Sequence, residues 1–125
     1  MAYANGWLTI DTTAPVVTIN TGSDVVEVNS MTGWTDAGAE WIDNNGNTGS
    51  VLVNSGSVDT SLVGTYTVEY LVSDGYNTGS ATRTVEVRDT TAPVVILSGA
   101  TIIETPLGTP FNDPGATWSD NNGSF

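Results

Sequence analysis

The 125-residue chain has no cysteine, no lysine and no histidine, and its only basic side chains are Arg83 and Arg88. Each absence closes a branch of chemistry. Without cysteine there are no disulfides, thiolate metal sites or thiol nucleophiles. Without histidine or lysine, Ser-His-Asp triads, imidazole metal sites and Schiff bases are excluded. The missing lysine amine also rules out isopeptide cross-links. Two arginines face fourteen Asp and Glu, a formal net charge of −12. Nucleic acid is therefore excluded as a partner, because binding it rests on Lys and Arg neutralising phosphates. An anionic membrane surface is disfavoured for the same reason. No apolar run approaches the ~20 residues of a membrane span, and Met1 to Trp7 lacks the basic and apolar regions of a signal peptide. An export signal or anchor is expected outside these residues. The carboxylate excess suits a solvated, salt-screened setting, so the expected location is extracellular, at a cell surface.

What is present is a repeat. Asp-Thr-Thr-Ala-Pro-Val-Val occurs at Asp11 to Val17 and again at Asp89 to Val95. The echo continues: Val25-Val26-Glu27 returns as Ile102-Ile103-Glu104, and Thr35 to Ala39 as Asn112 to Ala116. Trp41-Ile42-Asp43-Asn44-Asn45-Gly46 returns as Trp118-Ser119-Asp120-Asn121-Asn122-Gly123. Self-similarity at a fixed period marks a tandem array. Residues 11–88 are read as one complete unit and 89–125 as the first half of a second. Residues 1–10 are the end of a preceding repeat, a linker or a possible donor strand.

Between clusters of Gly, Asn and Ser lie short β-branched segments, often alternating, which predict half-buried strands. They fall at 16–20, 24–28, 39–43, 50–54, 65–73 and 81–88, with an edge piece near Val58. In the 65–73 segment Tyr66, Val68, Tyr70 and Val72 share one face. In 81–88, Val85 and Val87 point inward and Thr84 and Glu86 outward. Gly64-Thr65-Tyr66 has the form of a tyrosine corner. Trp34 and Trp41 read as core or inter-sheet plugs. Six or seven such strands predict an all-β, antiparallel β-sandwich.

With Asp-Thr-Thr-Ala-Pro-Val-Val, then Thr-Asp-Ala-Gly-Ala, then Gly64 to Asp74 and Thr82 to Asp89, the chain resembles bacterial immunoglobulin-like repeats of surface proteins, of the DUF5011 or HYR-like type. The resemblance covers residues 11–88 in full and 89–125 as an opening half. It implies an immunoglobulin-like sandwich acting as a stalk or spacer in a secreted, adhesive or cell-wall-associated protein. Its partners would be neighbouring immunoglobulin-like repeats or other copies of the same chain. The chain departs from the usual Asp-Gly-Asn after the long strand by reading Asp74-Gly75-Tyr76-Asn77.

In a sandwich of that topology the start of the first strand, the second-to-third-strand loop and the sixth-to-seventh-strand loop gather at one pole. Here that convergence brings together Asp11, the loop Asp43 to Asn47 and the loop Asp74 to Asn77. Two carboxylates ~4 Å apart repel by about 4 kcal/mol at an effective dielectric of 20, so such a cluster splays into water or takes up a cation. Calcium, which accepts six to eight oxygens, fits Asp11, Asp43, Asn45, Asn47 and Asp74 as candidate ligands. The competing reading of Asp-Asn-Asn-Gly is plain turn chemistry. Paired carboxylates could in principle hydrolyse glycosides, but so small a sandwich offers no cleft for a sugar, and no enzyme is expected. Two further functions are open: a filament subunit completed by strand exchange between chains, and a glycan-binding module using exposed aromatics.

Overall fold

The computed structural model describes residues 2–4 and 7–123. The chain divides into two compact units, residues 1–88 and 89–125. Among the described residues every regular element is a strand.

The first unit opens on a short antiparallel hairpin of β1 (Ala2–Ala4) and β2 (Trp7–Thr9), paired Ala2 to Thr9 and Ala4 to Trp7. The segment read from sequence as a repeat end, linker or donor strand thus pairs with itself. Six more strands follow: β3 (Val16–Ile19), β4 (Val25–Glu27), β5 (Ala39–Ile42), β6 (Thr48–Val51), β7 (Gly64–Ser73) and β8 (Thr78–Arg88). They form two three-stranded sheets, ordered β3-β5-β6 and β4-β8-β7. The first sheet is antiparallel throughout. In the second, β7 and β8 pair antiparallel over ten residues, while β4 lies parallel to the end of β8, Val25 opposite Glu86 and Glu27 opposite Arg88. The sequence pattern led to an all-antiparallel expectation; this parallel pair is the exception. The edge piece expected near Val58 does not form: residues 56–59 are in no strand, and the pairing in this stretch is an isolated bridge of Ser55 with Glu69.

The period-two side-chain alternation of strands explains which residues meet. Val17, Ile19, Ala39 and Val51 sit on one face of the first sheet, in register with one another. Facing them from the second sheet are Val68 and Tyr70, with Val17, Ile19, Trp34, Val51, Val53 and Val58 packed around the cluster of Ala39, Val68 and Tyr70. Val72, Val85, Val87 and Val28 extend the core. Fully burying one such apolar side chain contributes about 1.5–3 kcal/mol, so these two faces are the main source of cohesion. Trp41 shares the inward register with Ala39, and its indole lies against Gly49, where a Cβ would meet the ring at 2.7 Å. That contact requires a glycine in the middle of β6.

One charged side chain is built into this core. Arg83 is 3 % exposed and in phase with Val85 and Val87. Its guanidinium donates to Asp24 Oδ1 at 2.6 Å, to the Asn20 and Gly38 carbonyls at 2.6 and 3.3 Å, and to the Tyr70 hydroxyl at 3.0 Å. Tyr70 in turn donates to Asp36 Oδ1 at 2.6 Å. Asp36 also receives the backbone N–H groups of Gly38 and Val53, each at 2.9 Å. Every polar group in this chain of contacts has a partner, which is what makes a buried charge tolerable. Near the start of β7, the Tyr66 phenol donates to the Leu62 carbonyl at 2.7 Å, the back-bond of a tyrosine corner.

The second unit contains one antiparallel pair, β9 (Val94–Leu97) and β10 (Ala116–Ser119). Its register reproduces that of β3 and β5: Val95 faces Trp118 as Val17 faces Trp41, and Leu97 faces Ala116 as Ile19 faces Ala39. All eight residues of the pair are exposed, as are Ile102, Ile103, Leu107 and Phe111.

Candidate functional site

Three segments meet where the chain comes into the first sandwich. The first is the incoming stretch Asp11 to Pro15, ahead of β3. The second is the loop from Asp43 to Asn47 that joins β5 to β6. The third is the turn Asp74 to Asn77 that joins β7 to β8. Each is held locally by side-chain-to-backbone bonds characteristic of Asp and Asn. Asp11 Oδ1 accepts the Thr13 N–H at 3.0 Å. Asp43 N–H donates to the Asn47 carbonyl, Gly46 N–H donates to the Asp43 carbonyl, and Asn45 Oδ1 accepts the Asn47 N–H. Asp74 Oδ1 accepts the N–H groups of Tyr76 and Asn77 at 2.7 and 2.6 Å. Those bonds, from Asn77 first and then Tyr76, hold the Asp74 carboxyl below its usual range and so keep it ionised.

Asn77 ties the pieces together. Its carboxamide N–H group donates to the carbonyls of Asp11 and Thr13 at 3.0 and 3.2 Å, and to Asp74 Oδ2 at 3.3 Å. A second clasp lies beside it: a Cβ on Gly79 would fall 1.9 Å from the Pro15 carbonyl oxygen, so the incoming backbone runs hard against the start of β8.

The result is a cluster of three carboxylates. One oxygen from each of Asp11, Asp43 and Asp74 lies within 4.8 Å of the other two. Asp43 is 5 % exposed, and neither of its carboxylate oxygens has a hydrogen-bond partner. A groove beside the cluster is lined by Ile10, Asp11, Thr12, Thr13, Asn44, Asn45 and Tyr76.

Of the five candidate ligands, the structure brings the three aspartates together. Asn45 spends a lone pair of its carboxamide on the Asn47 backbone, and both asparagines shape the loop that presents Asp43. Asn77, which is not among the five candidates, positions two of the three carboxylate-bearing segments. The signal that could have found it is the spacing Asp74-x-x-Asn77 closing a tight turn. Trp34 and Trp41 are half-buried, one packed on the core with its Nε1 donating to the Ser23 carbonyl at 3.2 Å and the other against Gly49. They do not form the exposed coplanar pair that sugar stacking requires.

Two facing β-sheets, a tyrosine corner and loops gathered at the poles define this unit as an immunoglobulin-like sandwich. Residues 17–87 match the family described as bacterial surface protein, Ig-like domain, and the chain belongs to that family. No curated protein matches the chain. Domains of this family are typically non-enzymatic and suggest a surface or extracellular location. No helix among the described residues is long and apolar enough to cross a membrane.

Proposed function

We propose that the chain is a length-giving module of an extracellular surface protein: a stalk or spacer unit in a row of similar units, without catalytic activity. The observation that carries this reading is where the chain comes in and leaves. Asn77 and Gly79, at the start of β8, hold the incoming residues Asp11 to Pro15. The sandwich is left at Arg88, the far end of the same eleven-residue strand. At ~3.3 Å per residue that strand spans about 36 Å, so each unit adds its long dimension to the row. Residues 89–125 are read as the opening half of a second repeat, supported by the shared register of β9–β10 and β3–β5.

The same geometry suits tension. Pulling at Ile10 and Asp89 loads β8 directly and reaches its parallel neighbour β4 through β3, drawing β4 and β8 in opposite directions along their length. The bonds from Glu86 N–H to the Asp24 carbonyl and from Val28 N–H to the Arg88 carbonyl, each 2.7 Å, lie across that direction of pull and resist it in shear. The ion pair of Arg83 with Asp24 adds to them. Because the chain has no cysteine, Ile10→Cys with Asp89→Cys gives unique attachment points for single-molecule pulling. The expected trace is one abrupt step releasing about 24 nm, the extended length of the enclosed residues less the folded span. Gradual yielding with no discrete step would refute a load-bearing spacer.

A further inference from the structure

We infer that Asp11, Asp43 and Asp74 bind a calcium ion, which fastens the incoming segment to the β5–β6 loop and the β7–β8 turn. The inference rests on two independent observations. The first is the convergence of three carboxylate oxygens within 4.8 Å. Calcium sits 2.3–2.6 Å from its oxygen ligands, so oxygens on opposite sides of one ion lie roughly 4.6–5.2 Å apart. Three oxygens no more than 4.8 Å apart are close enough for one such ion to draw them together as ligands. The second is the state of Asp43. It is 5 % exposed, its two oxygens accept no hydrogen bond, and they face two further carboxylates. A buried charge is tolerated when it is paired or coordinates a metal.

The chain cannot supply the balancing charge to this cluster from its basic side chains. Arg83 is committed to Asp24 and the core carbonyls, and Arg88 pairs with Glu86. There is no lysine or histidine. The donors are all hard oxygens, which select calcium or magnesium over softer metals. Calcium is favoured because Asp43 is carried on a loop and Asp11 on a linker. Such a set gives the irregular geometry that calcium accepts and that octahedral magnesium resists. The groove beside Asn44, Asn45 and Tyr76 leaves the cluster open to water, which would supply the remaining ligands. Asn77 is a positioning residue: its carboxamide N–H group holds the Asp11 backbone and Asp74 Oδ2 in place and does not itself face the ion with an acceptor in these bonds.

The test is a calcium titration of the full chain against its melting temperature at constant ionic strength. Calcium in about hundredfold excess over its dissociation constant is expected to raise the melting temperature by about 10 °C or more. Asp43→Asn is expected to lose the rise while melting, without calcium, at or above the temperature of the parent. Magnesium at equal concentration is expected to produce a much smaller rise. Terbium, as a luminescent stand-in on the unaltered chain, is expected to bind near Tyr76 and be displaced by calcium, which keeps the test open should Asp43→Asn fail to fold. Any of four results would overturn the assignment: no rise at millimolar calcium, an equal rise in Asp43→Asn, an equal rise with magnesium, or terbium emission indifferent to calcium.

Discussion

Asp36 shows how one carboxylate can organise a core of hydrophobic faces. Burial opposes its ionisation, but bonds from the Tyr70 hydroxyl and the Gly38 and Val53 N–H groups, together with the Arg83 charge, outweigh it and hold the carboxyl below its usual value. A group whose folded value is depressed contributes stability that is complete above its unfolded value, near pH 4. That contribution drains away as the pH falls through the lower folded value. Urea unfolding followed from pH 6 downward is therefore expected to show stability falling below about pH 4. Asp36→Asn should flatten this acid limb and cost about 1–3 kcal/mol at neutral pH, because the amide nitrogen that replaces one carboxylate oxygen cannot accept and leaves a donor such as the Val53 N–H without its acceptor. An unchanged acid limb in the variant would show that other carboxylates set it. At this scale the sequence was half legible. The topology expected of the fold brought Asp11, Asp43 and Asp74 to one pole, because the loops of such a sandwich have fixed neighbours. Arg83 is harder to read, although the alternation that sends Val85 and Val87 inward sends it inward too. A charged side chain reads as solvent-facing unless its partners, here 13 to 63 residues away in sequence, are already known.

Among the elements, the long strands were read nearly whole. β7 and β8 carry ten or more residues each, enough for a two-residue period to declare itself. β8 begins at Thr78, three residues before the alternation becomes clear, because Thr78, Gly79 and Ser80 pair with the end of β7. β6 begins at Thr48 and includes Gly49, whose place in the strand depends on the Trp41 ring lying over it. The parallel partnership of β4 was not legible, since a three-residue strand has too short a pattern to name its neighbour or direction. Gly79 tests the seam between elements. Gly79→Ala puts a methyl where the Pro15 carbonyl stands, and the obstacle is backbone, so the incoming segment must shift. A loss of about 1–3 kcal/mol is expected in equilibrium unfolding. If calcium binding weakens in parallel, the same seam also holds Asp11 in place.

Across the whole molecule the two units differ in what covers them. The first closes two sheets on a buried core; in the second, every residue of β9 and β10 is exposed. Hydrogen exchange should separate them, because opening free energy follows buried apolar contact and protected backbone bonding. Amides of β7 and β8 are expected to exchange slowest, near the global unfolding limit, and those of residues 94–119 fastest. Equal protection in the two units would mean that the second acquires a covering layer in solution. In sequence, residues 89–123 match only the opening of the first unit and have no counterpart of its two longest strands.

The partnership of β4 with β8 also sets when a unit can close during synthesis. Val25 is stitched to Glu86, nearly the full length of the sandwich away in sequence, and contacts so distant are slow to form. A chain emerging amino-end first, from a ribosome or a secretion pore, cannot lock this sheet until β8, residues 78–88, has cleared the exit. Until then it stays threadable, and afterwards it cannot readily slip back.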